Sequence, residues 1–190
     1  GEVSLDGTLR PASGLLALLD GLSSASSVVI PESNLPEAGL IQKDSKRKHR
    51  VRGLAHLSAL CAPVDHLPVP HRTSRKIRSP EPVGRSLDFA DIRGQHLARR
   101  AAEIAAAGGH HLILIGPPGT GKSMLAQRLP TILPEMSPSE SLDVTKIYSV
   151  AGLMSESRLV RVRPFRSPHH TLSEAALVGG GPKSLPGEIT

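Results

Sequence analysis

Eight consecutive residues, Gly116-Pro117-Pro118-Gly119-Thr120-Gly121-Lys122-Ser123, narrow the folds open to this chain more than anything else in it. Gly116, Gly119 and Gly121 permit backbone angles that a side chain forbids. A loop so built can curl until several N–H groups point inward at one anion. An apolar run, His111-Leu112-Ile113-Leu114-Ile115, stands directly before it. That run reads as a parallel strand covered on both faces. Behind the loop a helix is predicted from about Gly121, with Leu125 and Leu129 facing a core and Pro130 ending it. Its dipole and unpaired N–H groups add to the pull on negative charge.

Strand, loop and helix in that order are the context that a phosphate-binding loop requires. Lys122 would place a compact positive charge on the β- and γ-phosphates, and the Ser123 hydroxyl would coordinate Mg²⁺. We therefore expect ATP with Mg²⁺ to bind on Gly116, Pro117, Pro118, Gly119, Thr120, Gly121, Lys122 and Ser123. Lys122 is the residue expected to matter for catalysis and Ser123 the metal ligand. The expected fold is α/β, a P-loop parallel sheet flanked by helices. Hydrolysis also needs an acidic residue on a second strand. No apolar run ending in Asp-Glu follows Ser123, and neither Asp143, Glu156, Glu174 nor Glu188 ends an apolar strand. The sequence thus supports nucleotide binding better than turnover.

The chain divides by composition into three stretches. Residues 1–42 read as one compact αβ piece. Val3 and Leu5 alternate like a half-buried strand, and Asp6-Gly7 marks a turn. Leu15, Leu18, Leu19 and Leu22 fall on one helical face, with Ser13 as N-cap and Gly21 as stop. Val28-Val29-Ile30 is a short strand ended by Pro31. Residues 43–86 carry a basic run from Lys43 to Arg52, a short helix near Leu54, Leu57 and Leu60, and then repeated prolines. We expect a basic, Pro-rich linker there, mostly extended or disordered. Residues 87–190 hold the chemistry. In them Leu97, Ala101, Ile104 and Ala105 repeat at helical spacing up to Gly108-Gly109, and Ser137-Pro138-Ser139-Glu140 has capping-box spacing. The helix it opens should bury Val144, Ile147 and Ala151. Val160 and Val162 read as a hairpin strand.

Composition adds a few limits. Aromatic residues are 2% of the chain, so the core must come from Leu, Ile, Val and Ala. The net charge of +6 suits either a polyanionic partner or a solvated basic linker. One cysteine, Cys61, allows no intrachain disulfide and fits a reducing, cytoplasmic setting. No apolar run reaches the length of a membrane span. Gly1 and Thr190 both read as cuts in a longer chain.

A family resemblance follows from longer words in the sequence. Asp88-Phe89-Ala90-Asp91-Ile92-Arg93-Gly94-Gln95, followed by Gly116–Ser123, resembles the opening of an AAA+ ATPase module. Arg163-Pro164-Phe165-Arg166-Ser167-Pro168-His169-His170-Thr171, Ala176-Leu177-Val178-Gly179-Gly180-Gly181 and Pro186-Gly187-Glu188-Ile189 narrow this to magnesium-chelatase-like proteins of the YifB/ComM type. Residues 1–42, through Gly1-Glu2-Val3-Ser4-Leu5-Asp6-Gly7, Leu9-Arg10-Pro11 and Val29-Ile30-Pro31, resemble the end of a Lon-protease-like (ribosomal protein S5 domain 2-like) αβ domain. That order favours YifB/ComM over magnesium-chelatase subunits. It puts Leu16 where Lon proteases hold a catalytic lysine, so peptidase chemistry is not expected.

The resemblance implies a hexameric ATPase that processes DNA as a helicase in branch migration. It places Asp91, Ile92, Gly94 and Gln95 near an adenine, and Arg163–Thr171 in an insertion facing a pore or a neighbouring subunit. It also puts the acidic metal-binding strand just after Ile189, with sensor and arginine-finger residues later. The alternatives are the ATPase subunit of a magnesium chelatase and a non-hydrolysing interaction fragment. His169-His170 would point apart on a strand and suit structure or DNA contact better than metal. His110-His111 read as ordinary loop and strand-edge residues, and Cys61 as a small buried hydrophobe.

Overall fold

The structure, a computed structural model, describes residues 2–22, 27–41, 50–70, 87–154, 158–180 and 185–189. The chain forms two compact units. One comprises Gly1–Arg75, Ser137–Val160 and Pro168–Thr190, the other Lys76–Met136 and Arg161–Ser167. No helix among the described residues is long and apolar enough to cross a membrane.

The first unit is mixed α/β. Helix α1 (Leu15–Gly21) starts from Gly14 in the left-handed region, φ 75°, without a side-chain cap. Ser13 is therefore not its N-cap. Strand β1 (Ser27–Pro31) ends at the expected proline and leads through a 3₁₀ turn into α2 (Leu35–Ile41). Strand β2 (Arg50–Leu54) pairs with β1 in parallel register, Ser27 opposite Arg50 and Pro31 opposite Leu54. β2 lies inside the stretch read as linker. The basic residues there hid two core positions, Val51 and Leu54, both buried. Leu15, Leu16, Leu19, Ile30, Leu35, Ala38, Ile41 and Val51 make one apolar core. Full burial of Leu16 and Leu19 contributes about 1.5–3 kcal/mol each. Leu18, expected on that face, is exposed. Val3 makes only an isolated antiparallel bridge to Leu9 around the Asp6-Gly7 turn.

Helix α5 (Pro138–Val150) belongs to the same unit and has the expected capping box between Ser137 and Glu140. Its buried face, however, is Ser141, Thr145 and Ser149, and Val144, Ile147 and Ala151 are only half-buried. Each hydroxyl has a partner, which is how a polar face can be covered at all. Ser141 Oγ donates to Val160 O at 2.6 Å, and Thr145 Oγ1 donates to Ser141 O and accepts from Val160 N at 2.9 Å. Ser149 Oγ donates to the buried carboxylate of Glu37. Asn34 Nδ2 donates to the other Glu37 oxygen at 2.9 Å, and Asn34 also bonds both backbone groups of Ala12. Lys146 bonds Asp20 at 2.7 Å and Asp143 at 2.9 Å. The Asp20 carboxylate holds its ammonium above the usual lysine value, partial burial opposes this, and Asp143 adds to it. Val160 is thus bound by α5 side chains instead of forming a hairpin strand. Helix α6 (Glu174–Val178) runs into β3 (Gly179–Gly180), which pairs antiparallel with β4 (Leu185–Pro186).

The second unit has its own core of Phe89, Ile92, Ala102 and Leu125. Asp88 and Asp91 form a reciprocal capping box around the turn Phe89–Asp91. Phe89 N donates to Thr131 Oγ1 at 3.1 Å, and Arg128 reaches Asp91 at 3.4 Å. Helix α3 (His96–Gly108) stops at Gly109, φ 64°. It buries Ala102, Ala105 and Ala106, whereas Leu97 and Ile104 are exposed. Helix α4 (Lys122–Arg128) buries Leu125 and passes into a 3₁₀ turn at Pro130, as a ring without an N–H demands.

The expected strand before the loop is corrected in one respect. Residues 110–116 have no regular secondary structure and make no strand pair among the described residues, so the expected parallel strand is not formed there. Leu112 and Leu114 pack on the core, while Ile113 is 82% and Ile115 92% exposed. Among the described residues the run is covered on one face only. The parallel pairing that the structure does contain is β1 with β2, in the other unit.

Candidate phosphate-binding loop

Local chemistry positions the loop. Leu112 and Leu114 anchor the incoming chain on the core, and Leu125 anchors the outgoing helix. Between these anchors the chain must reverse in a few residues. It does so through Gly119 at φ 80° and Gly121 at φ 84°, the left-handed region that costs an L side chain about 1–2 kcal/mol. A Cβ on Gly119 would meet nothing within 4 Å, so backbone angle and not crowding calls for glycine. Gly121 is also the N-cap of α4.

Lys122, the first residue of α4, turns its side chain back into the loop. Its Nζ donates to Gly116 O at 2.8 Å, Pro117 O at 2.6 Å and Thr120 Oγ1 at 3.2 Å. Thr120 Oγ1 in turn donates to Pro117 O at 3.0 Å. Ser123 follows on the exposed first turn of α4. The loop thus curls around an ammonium group, with a hydroxyl one residue on. That donor set, all cation and hydroxyl, suits a polyanion accompanied by a hard divalent metal.

Gln95, expected near a base, also reaches the loop. It has φ 49°, a positive value rare outside glycine, directly after Gly94 at φ 66°. Its Nε2 donates to Thr120 O at 3.4 Å. Asp91 and Ile92 lie in the same turn-and-core assembly, Asp91 bonded to Arg128 and Ile92 buried. The Thr120 hydroxyl was not legible in the sequence as more than an unspecified loop position. Only its proximity to Lys122 marks it.

Other candidates do not join this group. His169 and His170 are exposed, and their rings lie beside each other, centroids 4.2 Å apart, instead of pointing apart on a strand. His169 Nδ1 pairs with Thr171 Oγ1 at 2.7 Å. Among the described residues no group of three or more His, Cys, Asp or Glu is placed to hold a metal. Cys61 is exposed, not buried, because it ends a short 3₁₀ turn that packs no core residue. The basic residues 43–49 and 71–86 lie outside the described residues.

Comparison with known proteins agrees with the words in the sequence. Residues 88–190 match the family model described as magnesium chelatase, subunit ChlI. An uncharacterized protein of Mycobacterium tuberculosis is 48% identical over 184 residues, covering 95% of this chain and 35% of that protein. The uncharacterized protein YifB of Escherichia coli is 40% identical over 193 residues, covering 100% and 36%. The competence protein ComM of Haemophilus influenzae is 36% identical over 190 residues, covering 100% and 37%. A 38-residue stretch is 58% identical to a putative Lon protease homologue of Thermoplasma volcanium. The chain therefore spans about a third of the length of its YifB and ComM relatives. The family match, with these relatives along the whole chain, shows that this protein belongs to the magnesium-chelatase family and is of its YifB/ComM type.

Proposed function

We propose that Gly116–Ser123 binds the triphosphate of ATP with Mg²⁺, as the nucleotide site of an AAA+ motor. The observation that carries this reading is the curled loop that holds the Lys122 ammonium against Gly116 O and Pro117 O. Phosphate oxygens compete well for such an ammonium, because they carry a full negative charge that the loop's carbonyl oxygens lack. In this reading Lys122 bonds the β- and γ-phosphates, Ser123 ligates the metal, and main-chain groups from Gly116, Pro117, Pro118, Gly119, Thr120 and Gly121 shape the cradle. Bound Mg-ATP would supply a phosphoryl group for transfer to water. The chain's own part is to bind and orient it.

The fold and the wider activity follow from the same reading. Residues 87–190 are assigned to the start of an AAA+ module and 1–42 to the end of a Lon-like domain. For 1–42 the support is the run of words Gly1–Gly7, Leu9–Pro11 and Val29–Pro31 in the sequence. β2 draws part of 43–86 into the first unit, which runs on to Arg75. The longer protein would be a self-assembling ATPase, hexameric and acting on DNA in the manner of a branch-migrating helicase. The name of ComM, a competence protein, supports a DNA substrate.

The test is titration of Mg-ATP into wild-type chain and Lys122→Ala. Wild type should bind, and the variant should lose roughly a hundredfold in affinity, since two or more charge-assisted bonds go. Equal affinity in both would remove the proposal. The family description itself favours a second reading, the ATPase subunit of a magnesium chelatase. Stimulation of metal insertion into porphyrin by partner subunits would support it over a DNA motor.

A further inference from the structure

Lysine has three donors and no acceptor. All three Lys122 donors end inside the loop, on Gly116 O, Pro117 O and Thr120 Oγ1. The Thr120 hydroxyl proton goes to Pro117 O at 3.0 Å, which leaves its lone pairs facing Lys122. The Thr120 carbonyl accepts from Gln95 Nε2 at 3.4 Å. Thr120 is therefore gripped through both side chain and main chain, and its own hydroxyl grips the lysine. The lysine that should meet phosphate is saturated by the loop that carries it.

We infer that Thr120 is a positioning residue that latches Lys122 onto the loop's own carbonyls, so that a triphosphate is captured only after the ammonium swings away from them. This rests on the reading of Gly116–Ser123 as a phosphate loop. The latch is a competition for the same three protons. Carbonyl and hydroxyl oxygens hold them in the closed arrangement, and phosphate oxygens take them in the open one. Removal of one oxygen from the closed side shifts the balance without touching the lysine. The latch then sets how fast nucleotide is captured, and has no part in how fast it leaves.

The experiment labels the full chain with a limiting amine-acylating reagent and follows Lys122 by mass spectrometry, in wild type, Thr120→Val and Thr120→Ser. Valine keeps the shape and removes the hydroxyl, and serine keeps the hydroxyl. Thr120→Val should label Lys122 roughly tenfold faster than wild type, the scale of one lost bond to a charged group, and Thr120→Ser should stay close to wild type. Equal labelling in wild type and Thr120→Val overturns the latch. Stopped-flow capture of Mg-ATP gives the second readout. The capture rate should reach a plateau with concentration, and Thr120→Val should raise the plateau while the dissociation rate holds. An unchanged plateau with faster dissociation would show that the hydroxyl holds the ligand and not the lysine, and also overturns the latch. If neither Mg-ATP nor tripolyphosphate shields Lys122 while Thr120→Val still labels faster, the latch on the lysine stands and the phosphate reading falls.

Discussion

Ser149→Ala removes one oxygen atom from the docking face of α5. In the folded protein that oxygen donates to the Glu37 carboxylate, and both residues are buried. Alanine cannot donate, and the site is too tightly covered to expect water in its place. A hydrogen bond to a charged group contributes about 1.5–3 kcal/mol, and a buried acceptor left without its donor costs a similar amount. Asn34 still serves the other carboxylate oxygen at 2.9 Å, so the carboxylate is not wholly stranded. The expected loss is about 2 kcal/mol, or a roughly 30-fold rise in the fraction of molecules with α5 released, at about 1.4 kcal/mol per factor of ten. Native-state amide exchange reads this directly. Amides of α5 should exchange about 30-fold faster, while those of α3, which packs in a separate core, hold their rates. In a Glu37→Ala background the same substitution should cost under about 0.5 kcal/mol, because the acceptor has already gone. Protection of α5 within twofold of wild type would refute the polar docking. So would an equal cost of Ser149→Ala in both backgrounds.

Gly121→Ala should lower stability by about 1–2 kcal/mol in denaturant titration, since φ is 84° and only Met124 Cε, at 3.8 Å, approaches a Cβ; an unchanged midpoint would show that the loop turns elsewhere. The Lys146–Asp20 pair sets a pH dependence at the alkaline end. The lysine value is raised on folding, so its contribution is fully present below the ordinary value of 10.5 and is lost as pH climbs through the higher folded value. Asp20→Asn should cost about 0.2–1 kcal/mol at pH 6–9, as for a partly exposed pair, and the difference should vanish only above 10.5. Convergence of the two proteins near neutral pH would contradict the assignment.

Much of the candidate site was legible in the sequence because it depends on local geometry. Of the three glycines expected to need angles closed to a side chain, Gly119 and Gly121 are left-handed and Gly116 is not, and the lysine turns into the loop they form. Ser137 with Glu140 was an end signal complete within four residues, and it is present. Burial was less legible. The periodicity of α5 put Val144 and Ile147 inward, yet its partner surface offers Glu37 and a backbone hydrogen-bond pair at Val160, so Ser141, Thr145 and Ser149 are the residues it buries. In α1 it is Leu16 that is buried and Leu18 that is exposed, since the neighbours α2 and α5 decide which side is covered. The basic surroundings of Val51 made a core strand read as linker, and its pairing with β1 depends on a segment more than twenty residues away.

Turns and capping boxes are decided by φ, ψ and hydrogen bonds among a few adjacent residues, and the amino-acid order was enough for the box at Ser137 and Glu140 but not for the start of α1, which falls at Gly14 and not Ser13. Which oxygen the Lys122 ammonium meets, which face of α5 is buried, and whether an apolar run is covered once or twice are questions of neighbours distant in the chain. Only the tertiary structure settles them, because burial and desolvation are properties of a pair of surfaces and never of one segment.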